Sequence, residues 1–312
     1  MSFIYEVAVD ADAENNAHSH ILRMVGFNKS VLEVGCSTGY FTRALVDRGC
    51  SVVGVEIDPE AAAVAGGRAD EVVVGDLERA DVWERMDGRR FDVVLFGDVL
   101  EHLHDPLATL RRAVRLVAPS GTVVISIPNI AHGDVRMALL KGAFPYRDTG
   151  LLDRTHLRFF TKESIRELCV QAGLVVVGTE RVIVPLFQTE LGVVRDDFSQ
   201  STIDQILEDP EAETYQFVVK TVLDNGDHAV ATLAERVTEL TDQAHHEVVR
   251  TALLSQQLRD RDELERQVDE YRRQVDDLLS TKTYRLLAPL RLLYGRLLAA
   301  GRTVPGSPGG DR

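Results

Sequence analysis

Val31-Leu32-Glu33-Val34-Gly35-Cys36-Ser37-Thr38-Gly39-Tyr40-Phe41 reads as a buried strand running into a glycine turn and then a helix. The apolar run with one acid is the strand. Gly35 and Gly39 lack a Cβ, so they permit a tight turn and a close backbone approach. The next helix, Tyr40 to Arg48, offers free N–H groups at its start. A strand–turn–helix of this kind suits a nucleotide-like ligand. Its spacing is neither the dinucleotide fingerprint G-x-G-x-x-G nor a P-loop, which ends in Gly-Lys-Ser/Thr.

The order of the later strands sharpens this. Ser51 to Asp58 is a second strand ending in acid. Glu56 lies about 20 residues beyond the glycine turn, where Rossmann-like folds place a carboxylate on ribose hydroxyls. Val72 to Leu77 is a third strand and carries Asp76. Phe91 to His102 is a fourth, with Asp98 and the pair Glu101-His102. Thr122 to Pro128 is a fifth, after the turn Pro119-Ser120-Gly121. Glu33, Glu56, Asp76 and Asp98 thus stand at the carboxyl ends of successive strands, where a doubly wound sheet binds its ligand. The Glu-x-Gly-x-x-x-Gly turn resembles motif I of the class I S-adenosylmethionine (SAM)-dependent methyltransferases, and Phe91–His102 resembles their motif IV region. The negative Glu33 argues against a phosphate and for a ligand carrying an amine and a sulfonium. The resemblance implies SAM as cofactor, with Glu33, Gly35, Cys36, Gly39, Tyr40, Glu56, Ile57, Asp76, Leu77 and Asp98 around it. It also implies that Asp76 faces the adenine amino group.

The fold expected is α/β: a Rossmann-like, doubly wound seven-stranded sheet over residues 29–225, followed by a C-terminal coiled coil. Between the strands run helices near Tyr40–Arg48, Pro59–Gly66, Asp81–Met86, Pro106–Val117 and Thr161–Ala172. That alternation argues for a parallel sheet with right-handed crossovers. Leu174 to Val184 is a sixth strand. Tyr215 to Leu223 is a seventh, which the family inserts antiparallel between the fifth and sixth. Arg195 to Glu213 reads as an acidic loop with a short helix. Residues 1–28 form a cap segment with a helix over Asn16–Val25, and His18 and His20 there read as solvated.

Past Asn225-Gly226-Asp227 the composition changes. His228 to Lys282 contains neither Gly nor Pro. Apolar residues recur at Leu233, Val237, Leu240 and Ala244, then at Leu254 and Leu258, then in another phase from Leu264 through Val268, Tyr271, Val275 and Leu278. Steps of three and four define a coiled-coil seam, and the change of phase marks a stutter or stammer. Residues 228–282 are therefore expected to pair with a second copy or a partner protein; the alternative is a helix folded back on the catalytic domain. From Lys282 to Arg302 there are five basic residues and no acid, set among Leu and Tyr. Residues 283–300 read as a basic amphipathic helix on an anionic membrane surface, or else as a partner-docking helix. This segment resembles a tail found on many bacterial glycan-assembly enzymes. Residues 301–312 read as a disordered Pro/Gly-rich tail.

Composition narrows the partners. A net charge of −14 argues against broad nucleic-acid binding. Cys36, Cys50 and Cys169 show no metal spacing, and no three-ligand spacing appears elsewhere, so no metal is assigned. Met1 to Asp12 is mixed and acidic rather than a signal peptide, and no apolar run approaches the roughly 18 residues of a spanning helix. The expected location is cytoplasmic, peripheral on the inner face of the plasma membrane.

The substrate side is the long insertion over about residues 129–160. Its two blocks, Ile127 to Arg136 and Gly150 to Thr161, leave the carboxyl edge of the sheet. Together they resemble a subgroup of SAM methyltransferases associated with bacterial surface-polysaccharide and glycolipid loci. That resemblance implies O-methylation of a sugar or glycolipid hydroxyl. A sugar hydroxyl needs a base as attack proceeds, and His suits neutral pH. His156 ranks first, with Asp153 to orient it; His132 ranks second. His102, Tyr146, Arg154 and Arg158 are the expected acceptor contacts, His102 having a helix-capping alternative and Arg158 a lid salt bridge. Two other functions remain open: a phenol O-methyltransferase of the ubiquinone-biosynthesis type, which shares the Glu101-His102 pair, and a non-catalytic coiled-coil scaffold in a glycan-assembly complex.

Overall fold

A computed structural model describes residues 9–226 and 228–280. Its centre is one seven-stranded sheet in the order β3-β2-β1-β4-β5-β7-β6. The strands are β1 (Ser30–Val34), β2 (Ser51–Glu56), β3 (Glu71–Val74), β4 (Phe91–Gly97), β5 (Val117–Pro128), β6 (Leu174–Ile183) and β7 (Thr214–Leu223). β1 pairs in parallel with β2 and β4, while β7 pairs antiparallel with β5 and β6. This is the expected sheet, with the seventh strand inserted between the fifth and sixth. The strand order reverses between β1 and β4, which opens a crevice at their carboxyl ends.

Both faces of the sheet are covered, so its strands read as continuous apolar runs. One face carries Leu32, Val94, Phe96, Ile125 and Phe217. The helices packed there are α4 (Ala80–Glu84), α5 (Pro106–Val114) and α7 (Lys162–Gln171), while α3 (Pro59–Ala65) sets Ala65 against Gly39. The other face carries Val31, Val93, Leu95, Val124 and Val218 under α1 (Ala17–Val25) and α2 (Tyr40–Val46). Alternate residues of one strand thus serve opposite layers. Each fully buried Val, Leu, Ile or Phe is worth about 1.5–3 kcal/mol, so the central strands carry much of the stability.

Several elements depart from the sequence reading, each for a local reason. β4 stops at Gly97 instead of running to His102, because Asp98 takes φ +56° and Leu100–His102 coils into a 3-10 turn. β5 begins at Val117, and the Pro119-Ser120-Gly121 segment belongs to the strand; the register with β4 shifts between Phe91 and Val93 to absorb it. The insertion holds a helix, α6 (Gly133–Leu140), capped by His132. The acidic loop, in contrast, holds the short helix expected of it, α8 (Gln200–Leu207). His20 is only 5% exposed and His18 packs 5.3 Å from the Phe41 ring, so neither is solvated as expected.

α9 (His228–Ser280) is one unbroken helix. The first compact unit of the chain ends at Glu247, within it. Inside that unit, Asp242 meets Arg181 and Lys162, each at 2.7 Å, and His245 Nε2 lies 2.9 Å from the Pro210 carbonyl. The apolar repeat is exposed, from Leu233 and Leu240 to Leu264 and Tyr271. The basic segment over 283–300 and the tail over 301–312 lie outside the described residues. No helix among the described residues is long and apolar enough to cross a membrane.

Candidate active site

The glycine turn is built by steric necessity. Gly35 and Gly39 have φ of +74° and +75°, a region costly for residues with a Cβ. A Cβ on Gly35 would stand 2.6 Å from Val99 Cγ2, and one on Gly39 would stand 3.0 Å from Ala65 Cα. The N–H groups of Gly35 and Cys36 both donate to the Val55 carbonyl, at 2.8 and 3.0 Å, which pins the turn to β2. Glu56 ends β2 and braces the turn from the other side. Its Oε2 accepts from Ser37 N at 2.8 Å, and its Oε1 accepts from Ile57 N and Asp58 N at 3.0 and 2.9 Å.

Three of the four acids stand where expected, at the end of β2 and just past the ends of β3 and β4. Asp76 accepts from Glu78 N at 2.8 Å, and Leu77 beside it is buried. Asp98 Oδ1 accepts from Ser126 Oγ at 3.2 Å and from Gln216 Nε2. Glu33 differs. It lies within β1, is 5% exposed, and accepts from Thr42 Oγ1 at 2.5 Å. Burial pushes its carboxyl up to about 7, against the opposing effect of the Thr42 hydrogen bond. The strong negative charge expected there is therefore weakened, and the side chain ties β1 to α2. Cys36 also turns inward: its Sγ fills the space above Gly54, and burial raises its thiol far above the usual range. Only its backbone belongs to the turn.

The crevice fits the nucleoside sulfonium implied by the motif. Thr38 Oγ1, in the turn between the two glycines, is buried without a hydrogen-bond partner. Ile57, next to Glu56, leaves 63% of its surface exposed, an apolar face suited to a ring. Tyr40 stands half-buried at the start of α2.

The second half of the site lies past the ends of β4 and β5. The Glu101 carbonyl accepts from Leu157 N and Arg158 N at 2.8 and 3.0 Å, which folds the insertion's second block over the 3-10 turn. His156 and His102 meet edge to face, with ring centroids 4.9 Å apart. A small pocket here is lined by Glu101, Ile130, Leu151, His156, Arg158 and Phe159, among others. Burial and the neighbouring His102 lower the pKa of His156, so its ring is neutral at physiological pH and free to take a proton. Asp153 opposes that shift from nearby; its carboxylate accepts from Thr155 N and Thr155 Oγ1 at 2.8 and 2.7 Å. Burial holds the Glu101 carboxyl well above the usual carboxylate range, and Asp98 adds to the effect.

Other expected residues fall elsewhere. His132 is fully buried: its Nδ1 accepts from Asp134 N at 3.1 Å, so its Nε2 donates to the Val184 carbonyl at 2.8 Å. One ring nitrogen caps α6 and the other holds the Val184 carbonyl, which corrects its place among the catalytic candidates. Arg154 pairs with Asp148 at 2.6 Å on the surface. Arg158 makes no lid salt bridge among the described residues; its Nε and Nη2 clamp the His104 carbonyl at 3.1 and 2.6 Å, and the residue lines the pocket. Tyr146 is 57% exposed and packs its ring against Phe144. Sequence reasoning did not single out Glu101 as a site carboxylate, nor Thr38. The signal for Glu101 was an acid set in the apolar turn Val99-Leu100-Glu101.

Residues 12–179 match the model of a family described as a methyltransferase domain. A ubiquinone biosynthesis O-methyltransferase from Psychrobacter arcticus is 29% identical over 164 residues, covering 50% of this chain and 63% of that protein. Another from Azorhizobium caulinodans is 34% identical over 119 residues, covering 38% and 47%. The chain thus spans less than two thirds of the length of these curated relatives. Among solved structures, a SAM-dependent methyltransferase from Archaeoglobus fulgidus aligns at a TM-score of 0.49 and 17% identity, over 65% of this chain and 90% of that one.

Proposed function

We propose, given that this chain belongs to the family of methyltransferase domains and takes its methyl group from S-adenosylmethionine, that it methylates a sugar hydroxyl of a cell-surface glycan or glycolipid precursor. Transfer to oxygen is supported by the relatives named as O-methyltransferases. The observation that carries the acceptor's position is the Asp153–Phe160 block, pinned on the Glu101 carbonyl beside a neutral His156.

Bound SAM supplies an electrophilic methyl carbon. The chain does the rest. Glu56 and Asp76 hold the ribose and adenine ends, and the glycine turn lets the backbone approach. His156 takes the acceptor's proton as its oxygen attacks, while Asp153 and Thr155 fix the loop that carries it. Phe159 and Leu151 shield the reacting atoms from water. A second reading has specific support: the curated relatives act, by name, in ubiquinone biosynthesis, and the pocket carries Ile130 and Phe160 as well as polar groups. Radiolabelled methyl transfer from SAM, tried on nucleotide sugars, glycolipids and polyprenylated phenols, separates the two. Label in the phenols alone would discard the glycan reading, and failure to bind SAM at all would leave only a scaffold.

The exposed repeat of α9 supports self-association through a coiled coil, with Asp242 docking the helix start to Arg181 and Lys162. Light scattering giving a monomer at micromolar concentration would refute this. The basic 283–300 segment supports contact with anionic lipid, and vesicle sedimentation of the full chain against one truncated at residue 282 tests it.

A further inference from the structure

Glu101 is a buried carboxylate without a partner. It is 1% exposed, and neither Oε1 nor Oε2 meets a hydrogen-bond donor. Its charged neighbours include Asp98 and Asp153, which add negative charge. A buried carboxylate is retained at such cost only where something pairs with it. Two imidazoles close the other side. One ring nitrogen each from His102 and His156 and one Glu101 oxygen lie within 4.8 Å of one another.

The remaining nitrogens of both rings are already engaged. His102 Nδ1 lies 3.3 Å from the Thr155 carbonyl and 3.2 Å from Thr155 Oγ1. Thr155 Oγ1 gives its proton to Asp153 at 2.7 Å, so His102 Nδ1 is the donor and Nε2 keeps its lone pair. The His156 ring hydrogen-bonds the backbone of Leu151. A histidine that donates one N–H to a backbone or side-chain oxygen presents its other nitrogen in a fixed orientation, as metal ligands do.

We propose that Glu101, His102 and His156 hold a first-row divalent cation, such as Zn²⁺, Mn²⁺ or Co²⁺, at the inner end of the acceptor pocket. Two imidazoles and one carboxylate suit these ions better than Mg²⁺ or Ca²⁺, which take oxygen ligands. Ligands at about 2.0–2.2 Å from such an ion stand roughly 3–4 Å apart, so small side-chain rotations complete the site. The three residues share no recognisable spacing in sequence, which is why the sequence points to no metal; the fold of the insertion over the 3-10 turn brings them together. The ion's open side faces the pocket, where the acceptor oxygen becomes its next ligand. That last step rests on the transfer reading. With the ion bound, His156 is its ligand in place of the proton acceptor of the ion-free reading above, and the acceptor's proton leaves to water.

The test uses the full-length, tag-free protein stripped with chelator. Calorimetry with Zn²⁺ and visible spectroscopy with Co²⁺ are expected to give one ion per chain, with micromolar or tighter affinity. Glu101→Gln and His102→Ala should each weaken Co²⁺ binding by at least about tenfold, without altering SAM affinity or the melting temperature of the ion-free protein. If Glu101→Gln melts early, His102→Ala and His156→Ala carry the comparison. Absence of a stoichiometric ion, or variants that bind like the parent, would overturn the site. SAM binding without ion binding sinks this inference alone; ion binding without SAM binding sinks the transfer reading and leaves the ion site standing.

Discussion

The cofactor edge and the acceptor edge of this crevice are made differently. At the cofactor edge the turn, its glycines and the brace from Glu56 come from residues 35–58, and the contacts are backbone to backbone or carboxylate to backbone. At the acceptor edge the pieces come from residues 101–102 and 151–160, joined by the Glu101 carbonyl and by side chains. The first edge is specified by where a Cβ cannot go. The second is specified by which polar groups converge. Substitutions should therefore separate binding of the donor from the chemistry done on the acceptor.

The largest separation is expected at His156. His156→Ala should lower kcat by about 10²–10⁴-fold, the usual range for a lost proton acceptor. SAM affinity measured by calorimetry should stay unchanged, because the ring touches nothing in the glycine turn. Retained turnover would remove His156 from the chemistry. The reverse pattern is expected at Gly35. Gly35→Ala adds left-handed strain and a clash with Val99, together worth about 2–4 kcal/mol. SAM affinity should fall by roughly a hundredfold if that strain is relieved by moving the turn, and a near-native titration would show that the turn tolerates a Cβ.

That contrast also explains what was legible in the sequence. The sheet could be read because its central strands are apolar runs and the crossovers among the first five strands are short. The glycine turn could be read because its constraint is local. Glu33 misled because its place just before the turn says nothing of which way it faces; Thr42, nine residues on, draws it inward. His132 misled for a similar reason, since its role is fixed by the Val184 carbonyl, distant in sequence. Glu101 was seen only as half of a Glu-His pair. Its isolation from donors, and its approach to His156, depend on an insertion whose path no periodicity reveals. Strand and turn signals are contiguous, whereas a convergent polar cluster is a property of the folded chain.

Smaller effects sharpen the contrast further. Glu56→Ala removes a carboxylate that braces Ser37 and, in the proposed reading, faces the ribose, and should weaken SAM by about 10–100-fold, the worth of one or two charge-assisted hydrogen bonds. Unchanged affinity would place the ribose elsewhere. The pH profile addresses the acceptor edge. Burial lowers the His156 pKa from its ordinary 6.5, so the ring is already neutral at pH 7. The rate should be level from there upward and fall about tenfold per pH unit once the medium is more acidic than the lowered pKa. A fall beginning above pH 7 would mean that the ring is charged in the free enzyme.

The smallest catalytic effect is expected from the other histidine of the insertion. His132 sits in the same block of sequence logic as His156, yet it caps α6 and donates to Val184. His132→Ala removes the cap and leaves the part-buried Val184 carbonyl without this donor, which should cost about 1–3 kcal/mol of stability. With both ring nitrogens consumed by backbone, it has nothing left to offer a substrate. Below the melting transition kcat should therefore stay within about twofold of the parent, since no transition-state contact is removed. Equal losses of kcat at His132 and His156 would erase the distinction between a histidine that builds the acceptor edge and one that works at it.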